Sequence, residues 1–251
     1  MDRYLFSNKK YALEHLPDWK CPSCNAGILR KVQGDDFRVL PNASTQSIVN
    51  EPFFDYEYDI GVFSGRLLCG QCLENVFVSG ISTTDIEYDE QTGTEYYGVV
   101  EPQFFVPALR LIDVDERVPM RIHQLVEAAC AVFWCSGESC INRLRCVTEE
   151  ILTFLQISAV TDTGGFISLH HRIEKIGDEF KPVREALMAA KHMGNDASHG
   201  SFEVTREEVL DAFEVLEYCL AELFPIDRSN VLAIISRIND NKGFRSKTGA
   251  K

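Results

Sequence analysis

The sequence lacks any long hydrophobic run. No apolar stretch approaches the roughly 20 residues that a membrane-spanning helix requires, which argues against a helical membrane protein and predicts no membrane partner. The N-terminal stretch from Met1 to Lys10 also lacks the apolar core of a secretory signal peptide. We therefore expect a cytoplasmic protein.

Positive charge is scarce as well. The 251-residue chain has 25 Lys and Arg against 38 Asp and Glu, and the segment 50–101 has Arg66 as its only base. Non-specific nucleic-acid binders need a basic face, because phosphate contacts supply most of their affinity, and none is visible before the C-terminal tail. We interpret the basic tail as a solvated, disordered end. Its charged members are Arg237, Lys242, Arg245, Lys247 and Lys251.

Cysteine, in contrast, is plentiful, and four of the nine cysteines form two Cys-x-x-Cys pairs, Cys21/Cys24 and Cys69/Cys72. Disulfides are disfavoured in the cytosol, so the two pairs indicate a metal site. Four thiolates in tetrahedral array would hold a structural Zn²⁺ with no open coordination position. A redox dithiol is the alternative, but it needs only one pair and a thioredoxin-like context. The spacing between the pairs exceeds the usual ~15–20 residues, so we expect an insertion within the zinc ribbon.

The other five cysteines are scattered through helical patterns among Ala, Val, Leu and Phe. We interpret all of them as small buried hydrophobic residues. They are Cys130, Cys135, Cys140, Cys146 and Cys219.

The remaining pattern predicts an α+β protein, with an N-terminal zinc-ribbon β module followed by an α-helical bundle. The segment from Glu57 to Phe105 is β-like, and Asp85–Tyr88 and Tyr96–Val100 flank a turn, which predicts a hairpin. Its alternation of aromatic and acidic residues is typical of a sheet with one solvated face, with a binding face as the alternative. An extended connector, Phe104 to Val118, leads to the helices.

Helical periodicity and capping residues predict the second half of the chain. We divide the protein into a zinc-ribbon module with an acidic insertion (1–105), a helical bundle (106–227), and a terminal helix with a basic tail (228–251). The terminal helix is apolar on one side and is expected to pack on the bundle or on a partner. The predicted helices are Met120–Trp134, Ser139–Leu155, a short helix capped by Ser168, Val183–His192, one from a capping box at Thr205 to Phe224, and Ser229–Ile238.

The stretch from Lys191 to His199 is the most unusual part of the helical half, because Gly, Asn, Asp and two imidazoles replace the expected Leu and Ala. Gly194 is a residue at which helices commonly end. The helix can also continue on the same axis, which would place Asn195 and His199 four residues apart on one face.

Several short motifs in residues 100–225 support a family resemblance. They are Asp115-Glu-Arg-Val-Pro119, Asn142-Arg-Leu-Arg-Cys146, Glu149, Leu169-x-x-Arg172-Ile173 and Lys191-x-x-Gly194-Asn195-x-x-Ser198-His199. With these motifs the chain resembles the domain of unknown function numbered 4145, which is placed in the HEPN (higher eukaryotes and prokaryotes nucleotide-binding) superfamily. The resemblance implies a HEPN-like bundle that forms a homodimer, in a prokaryotic anti-phage defence or restriction-type system.

Many HEPN proteins are metal-independent RNases with an Arg-Asn-x-x-x-His motif. Asn195 and His199 match this motif, whereas Gly194 stands at its Arg position. If the resemblance extends to activity, His199 would transfer protons, Asn195 would orient it or bind phosphate, and Lys191 would replace the missing cation. Further candidate groups, if the bundle brings them near, are Arg145, Arg172 and His192.

Because the motif Arg is missing and the surface is acidic, we predict a binding or assembly module. Its groove, formed by Lys191, Asn195 and His199, would bind a nucleotide, a nucleic acid such as RNA, or a partner protein of the defence system. The alternative is a toxin-like, metal-independent endoribonuclease that uses His199. Two further interpretations are a polar cluster that only satisfies neighbouring helix ends and an adaptor that uses the zinc ribbon in transcription.

Overall fold

The computed structural model describes residues 1–32, 37–51, 54–55, 59–89, 93–199, 203–225, 229–241 and 243, with the side chains of 89 and 196–199 left out of the description. Within these ranges the protein is a mixed α and β structure, an N-terminal curled antiparallel sheet followed by helices. None of the described helices combines the length and apolar character that crossing a bilayer demands.

Within the described ranges, the sheet has six strands. They are β1 (Tyr11–Ala12), β2 (Leu29–Lys31), β3 (Phe37–Pro41), β4 (Ile60–Cys69), β5 (Asn75–Asp89) and β6 (Gly93–Val106). Their order is β1-β6-β5-β4-β2, and β3 also pairs with β4. Side chains of β4 alternate between buried and exposed positions, because successive residues of a strand point to opposite faces. The sheet therefore has one face toward the core and one toward solvent.

The hairpin predicted in the acidic segment is present as β5 and β6, but its strands are much longer than expected. Tyr88 pairs with Thr94 near the turn and Phe77 pairs with Val106 at the other end. The segment expected to be an extended connector from Phe104 therefore begins as the last three residues of a strand. Pairing with β5 supplies the hydrogen bonds that sequence periodicity alone does not reveal.

The helices lie mainly in the second half. They are α1 (Tyr4–Ser7), α2 (Ala43–Ile48), α3 (Met120–Val132), α4 (Gly137–Phe154), α5 (Leu169–Glu174), α6 (Lys181–His199), α7 (Arg206–Leu223) and α8 (Ser229–Asn241), with a 3₁₀ turn at Asp178–Phe180. The predicted caps at Ser168 and Thr205 are confirmed: each side chain accepts a backbone N–H, and Glu208 completes the capping box. Ser136 caps α4, so this helix begins two residues before the predicted start.

An aromatic junction, formed by Phe6, Trp19, Phe105, Phe133 and Trp134, joins the sheet to the helices. The ring centroids of Trp19 and Trp134 are 5.7 Å apart, and those of Phe105 and Trp134 are 4.8 Å apart. These rings belong to a hydrophobic core that continues from the sheet into the helices. The two halves thus share buried apolar surface, which is the main favourable term in folding.

Helix α8 contributes nothing to that core, since none of its residues is buried. Of the two arrangements expected for this helix, packing on the bundle or on a partner, the first is not observed. Its apolar side chains remain roughly half exposed. They are Val231, Leu232, Ile234 and Ile235.

Candidate metal centre and the C-terminal part of helix α6

The four cysteines of the two Cys-x-x-Cys pairs converge on one point. The Sγ atoms of Cys21 and Cys72 are 3.6 Å apart, those of Cys24 and Cys69 are 3.7 Å apart, and all four lie within 4.8 Å of one another. A disulfide would bring two sulfur atoms to about 2 Å, so the thiols are not bonded to each other. Four sulfurs at ~2.3 Å from a tetrahedral metal ion would be ~3.8 Å apart, which matches the observed spacing. The four cysteines can therefore bind a metal ion.

Each pair lies in a tight turn that its own backbone closes. The N–H of Asn25 donates to the carbonyl of Cys21 at 2.9 Å, and that of Leu73 donates to Cys69 at 3.2 Å. Asn25 and Leu73 have φ angles of 54° and 62°, in the left-handed region. Two matching turns thus present two thiols each toward a common centre.

The turns approach each other so closely that one position requires glycine. A Cβ atom at Gly27 would overlap the Sγ of Cys69 and lie 2.9 Å from the Cβ of Gln71. The N–H of Gly70 in the second turn donates to the carbonyl of Ile28 beside the first, at 3.1 Å. Backbone contact between the turns therefore fixes the distance between the two cysteine pairs.

Backbone N–H groups that donate to the sulfur atoms also lower the pKa of two of the thiols. Those of Ala26 and Gly27 lower the pKa of Cys24 to about 6, and that of Cys72 lowers the pKa of Cys69. The N–H of Glu74 acts in the same direction on Cys72, but burial and the other thiols raise its pKa to about 12. Four thiolates so close together repel one another, and a bound cation would remove this conflict.

The prediction that the other five cysteines are buried is right for three and wrong for two. Cys130, Cys140 and Cys219 are buried, whereas Cys135 and Cys146 are exposed. Burial raises the pKa of Cys130 and of Cys219 to about 12, so these thiols stay protonated. The helical pattern alone did not distinguish the two exposed positions, because the face of a helix that packs depends on the tertiary structure.

Helix α6 does not end at Gly194 but continues to His199. Lys191, Asn195 and His199 therefore follow one another at intervals of four residues along the same helix, close to its 3.6-residue repeat. Lys191 and Asn195 are half-buried, while the side chain of His199 lies outside the described part of the structure. The backbone thus brings the three predicted residues to one side of the helix.

The neighbour of this part of α6 is helix α4. Gly194 is buried, and a Cβ at this position would meet the side chain of Arg145 at 3.7 Å, an ordinary van der Waals distance. Arg145 also forms a 3.6 Å ion pair with Glu149 one turn later, as expected from their spacing. The aliphatic part of the Arg145 side chain therefore lies beside the position where the RNase motif has its Arg.

Two other suggested cations are differently placed. Arg172 is buried, and its guanidinium donates to the carbonyl of Ile157 at 2.8 Å and to the hydroxyl of Thr153 at 3.4 Å. These contacts satisfy the end of α4, a structural role that excludes Arg172 from the α6 site. His192 lies on α6 but is exposed.

A concave site that sequence analysis missed lies between the first cysteine turn and α3. Its volume is about 370 Å³, and its polar lining includes Ser23, Arg110, His123 and Glu127. His123 and Glu127 are one turn apart on α3, and Arg110 follows β6 in the connector. Only the folding of the connector against the turn brings them together, so no local sequence motif could have shown this.

Two family models match parts of the chain, whereas no curated protein and no solved structure matches the chain. Residues 9–107, which hold both cysteine pairs and the sheet, match the Domain of unknown function (DUF8608). Residues 127–241, which hold α6 and its neighbours, match the Domain of unknown function (DUF4145).

Proposed function

We propose that this protein is a binding and assembly module of a prokaryotic anti-phage defence or restriction-type system, acting in the cytoplasm. Its helical half would be a HEPN-like bundle that forms a homodimer. In the N-terminal half, a structural Zn²⁺ would hold the cysteine turns. A nucleotide, nucleic acid or partner protein would dock at the α6 groove, which we define as Lys191, Asn195 and His199.

The observation that carries the docking proposal is the unbroken course of α6 through Gly194. A helix that ended there would scatter Lys191, Asn195 and His199, whereas the continuous helix aligns them. Lys191 lies one turn before Gly194, and Arg145 of α4 lies beside it. The ammonium group of Lys191 and the amide of Asn195 in this arrangement favour an anionic ligand, because phosphate oxygens accept charge-assisted hydrogen bonds.

The donor set supports zinc as the metal. Soft thiolates select zinc over calcium, magnesium or manganese, and four cysteine ligands leave no coordination position for a substrate. Bound zinc would therefore contribute stability to the sheet rather than catalysis.

Binding at the α6 groove can be tested by fluorescence anisotropy with ATP and labelled RNA as probes. Lys191→Ala and Asn195→Ala are expected to weaken binding by roughly tenfold each, the effect of losing one hydrogen bond to a charged group. Lys181→Ala is the matched control, since Lys181 is an exposed lysine at the other end of α6, 3.8 Å from Glu185. Equal affinity of wild type, Lys191→Ala and Asn195→Ala would contradict the docking site.

The second candidate function, a metal-independent endoribonuclease, is favoured by one observation: the backbone places His199 one turn beyond Asn195. A histidine so placed can act as general acid or base. Purified protein would be incubated with tRNA and total RNA without added divalent metal, alongside His199→Ala. We expect intact RNA in both samples. Cleavage that His199→Ala abolishes would replace the binding module with a ribonuclease.

A further inference from the structure

The face of the sheet that points away from the helices carries an outer patch of exposed aromatic, apolar and basic side chains. Phe77 is 58% exposed and Phe104 50% exposed, whereas their strand neighbours Val78 and Phe105 are buried. The surface is concave here, with a volume of about 530 Å³. We define the outer patch as Arg38, Ser64, Arg66, Phe77, Ser79, Phe104 and Val106.

Strand register places the two phenylalanines near each other. Phe77 pairs with Val106, and Ser79 pairs with Phe104, so the two rings occupy diagonal positions on adjacent strands. Diagonal neighbours on one face of a sheet lie ~7–8 Å apart, within reach of aromatic side chains. The patch therefore offers two flat rings that a single extended ligand can contact together.

The two arginines flank these rings on the β3 and β4 side. Arg66 pairs directly with Phe77 across β4 and β5, and Arg38 pairs with Ser64, which pairs with Ser79. The guanidinium of Arg66 also donates to Asn75 at 3.4 Å. The paired residues thus form two rows across the strands. One row joins Arg66 to Phe77, and the other joins Arg38 through Ser64 and Ser79 to Phe104.

The charge of the patch indicates which kind of ligand it binds. Among the residues that the structure describes, its lining includes two arginines and no acid, although the surrounding segment 50–101 has Arg66 as its only base. A second copy docked on the same face would bring like charges together in an apolar interface, at a high desolvation cost. An anionic ligand that carries flat rings matches both the arginines and the phenylalanines.

We propose that the outer patch binds a short segment of single-stranded RNA. Phe77 and Phe104 would each stack a base, and Arg38 and Arg66 would contact phosphates, as on other sheet platforms for single strands. Ser64 and Ser79 lie between Arg38 and Phe104 in the strand register, so their hydroxyl groups would bond the ribose 2′-hydroxyl. The acidic remainder of the surface repels longer or double-stranded nucleic acid, which limits the site to a few nucleotides.

The proposal is tested by fluorescence anisotropy of a labelled eight-nucleotide single-stranded RNA with the full-length protein. Phe77→Ala and Phe104→Ala are expected to weaken binding by at least fivefold each, since one base stack is lost. Arg38→Ala should weaken binding and reduce the slope of log K against log salt by about 0.7. All of these side chains are exposed, and a melting curve for each variant checks that the fold is kept.

Tyr88→Ala is the matched control, because Tyr88 is an exposed ring of the same hairpin that pairs with Thr94 rather than with an arginine row. It should bind like wild type. All measurements are repeated in a Lys191→Ala background, which separates the outer patch from the α6 groove: the losses should persist there.

Several results would overturn the proposal. One is the absence of binding at low salt, and another is an affinity unchanged by Phe77→Ala and Phe104→Ala. Equal affinity for DNA of the same sequence would contradict the role of the 2′-hydroxyl, and equal affinity for duplex RNA would contradict stacking. A dimer that Phe77→Ala dissociates in sedimentation experiments would assign the patch to self-association instead.

Discussion

The N-terminal sheet and the helical half use cysteine in opposite ways. In the sheet, four thiols lie within 4.8 Å of one another, and backbone N–H groups lower the pKa of Cys24 and Cys69. In the helices, Cys130 and Cys219 are buried separately among apolar groups, and burial raises the pKa of each. The same residue type therefore serves as a candidate metal ligand in one region and as a small hydrophobic side chain in the other.

The comparison shows that residue type does not set the role of a thiol, whereas the nearby donors and charges do. A turn that directs N–H groups at sulfur favours the thiolate, and an apolar core favours the neutral thiol. The sheet and the helical half are also expected to depend on different sources of stability. The sheet would rely on a metal ion, and the helices on packing and capping.

The largest effect on stability is expected from Cys69→Ser. Structural zinc contributes ~10 kcal/mol or more in small domains, comparable with the whole stability of a typical protein. We therefore expect Cys69→Ser, or a strong chelator, to unfold the cysteine turns and strand β2. Hydrogen exchange of residues 20–31 and calorimetry measure the effect.

The control for that experiment is Cys146→Ser in the helical half, where the thiol is exposed. It should change the free energy of unfolding by no more than about 0.5 kcal/mol. If Cys69→Ser were as mild as Cys146→Ser, the metal would not stabilise the sheet.

The next largest effect is expected at the aromatic junction, where the two regions meet. Trp134 is buried and contacts Trp19 and Phe105 of the N-terminal half. Trp134→Ala should cost about 3–5 kcal/mol through the cavity it leaves, and Trp134→Phe should cost less. Circular dichroism should show sheet and helices losing stability together. Separate transitions would instead mean that the regions fold independently.

A smaller loss is expected at the start of α7. The hydroxyl oxygen of Thr205 accepts a hydrogen bond from the N–H of Glu208, and the carboxylate of Glu208 accepts one from the N–H of Thr205. Thr205→Ala should cost about 1 kcal/mol in thermal or urea unfolding, as for other N-caps, while the metal content stays unchanged. A loss of metal on Thr205→Ala would contradict the separation of the two stabilising mechanisms.

The same cap predicts a pH dependence. The N–H and hydroxyl of Thr205 lower the pKa of Glu208 below its usual value. Because the folded-state pKa is lowered, the stabilisation is present above the unfolded pKa of about 4.3 and is lost as pH falls through the folded value. Glu208→Gln should therefore flatten the acid limb of the stability curve and leave the pH dependence near pH 7 unchanged, because Glu208 is ionised there in both the folded and the unfolded state.

The smallest expected change is a gain in stability. A methyl group at Gly194 would meet Arg145 at 3.7 Å without overlap, and Ala is favoured over Gly in a helix by up to about 1 kcal/mol. Gly194→Ala should raise the melting temperature slightly. A clear destabilisation would show that the crossing of α4 and α6 requires glycine.

Local signals predicted much of this structure. Ser168 and the Thr205–Glu208 box gave the starts of α5 and α7 because a cap acts within one helical turn. The two cysteine pairs predicted the four-cysteine cluster because the spacing within each pair is itself local. HEPN-like function, by contrast, rests on resemblance and is still a prediction.

Features that depend on distant contacts could not be predicted. The sequence alone allows α6 either to end at Gly194 or to continue past it. In the structure the helix continues, and Gly194 packs against the side chain of Arg145. The helical patterns around Cys135 and Cys146 predict buried thiols, but both are exposed, because the packed face of a helix depends on tertiary contacts. The outer patch depends on strand register, which joins Arg66 to Phe77 and is not encoded in either strand alone.

The proposed zinc site is tested most directly by two measurements on the folded protein. Native mass spectrometry gives its mass and hence its metal content, and alkylation reports which of its thiols are accessible. We predict one Zn²⁺ per chain, protection of Cys21, Cys24, Cys69 and Cys72 from iodoacetamide, and rapid labelling of Cys146. A folded protein that carries no metal and is alkylated at all four of these cysteines would contradict it.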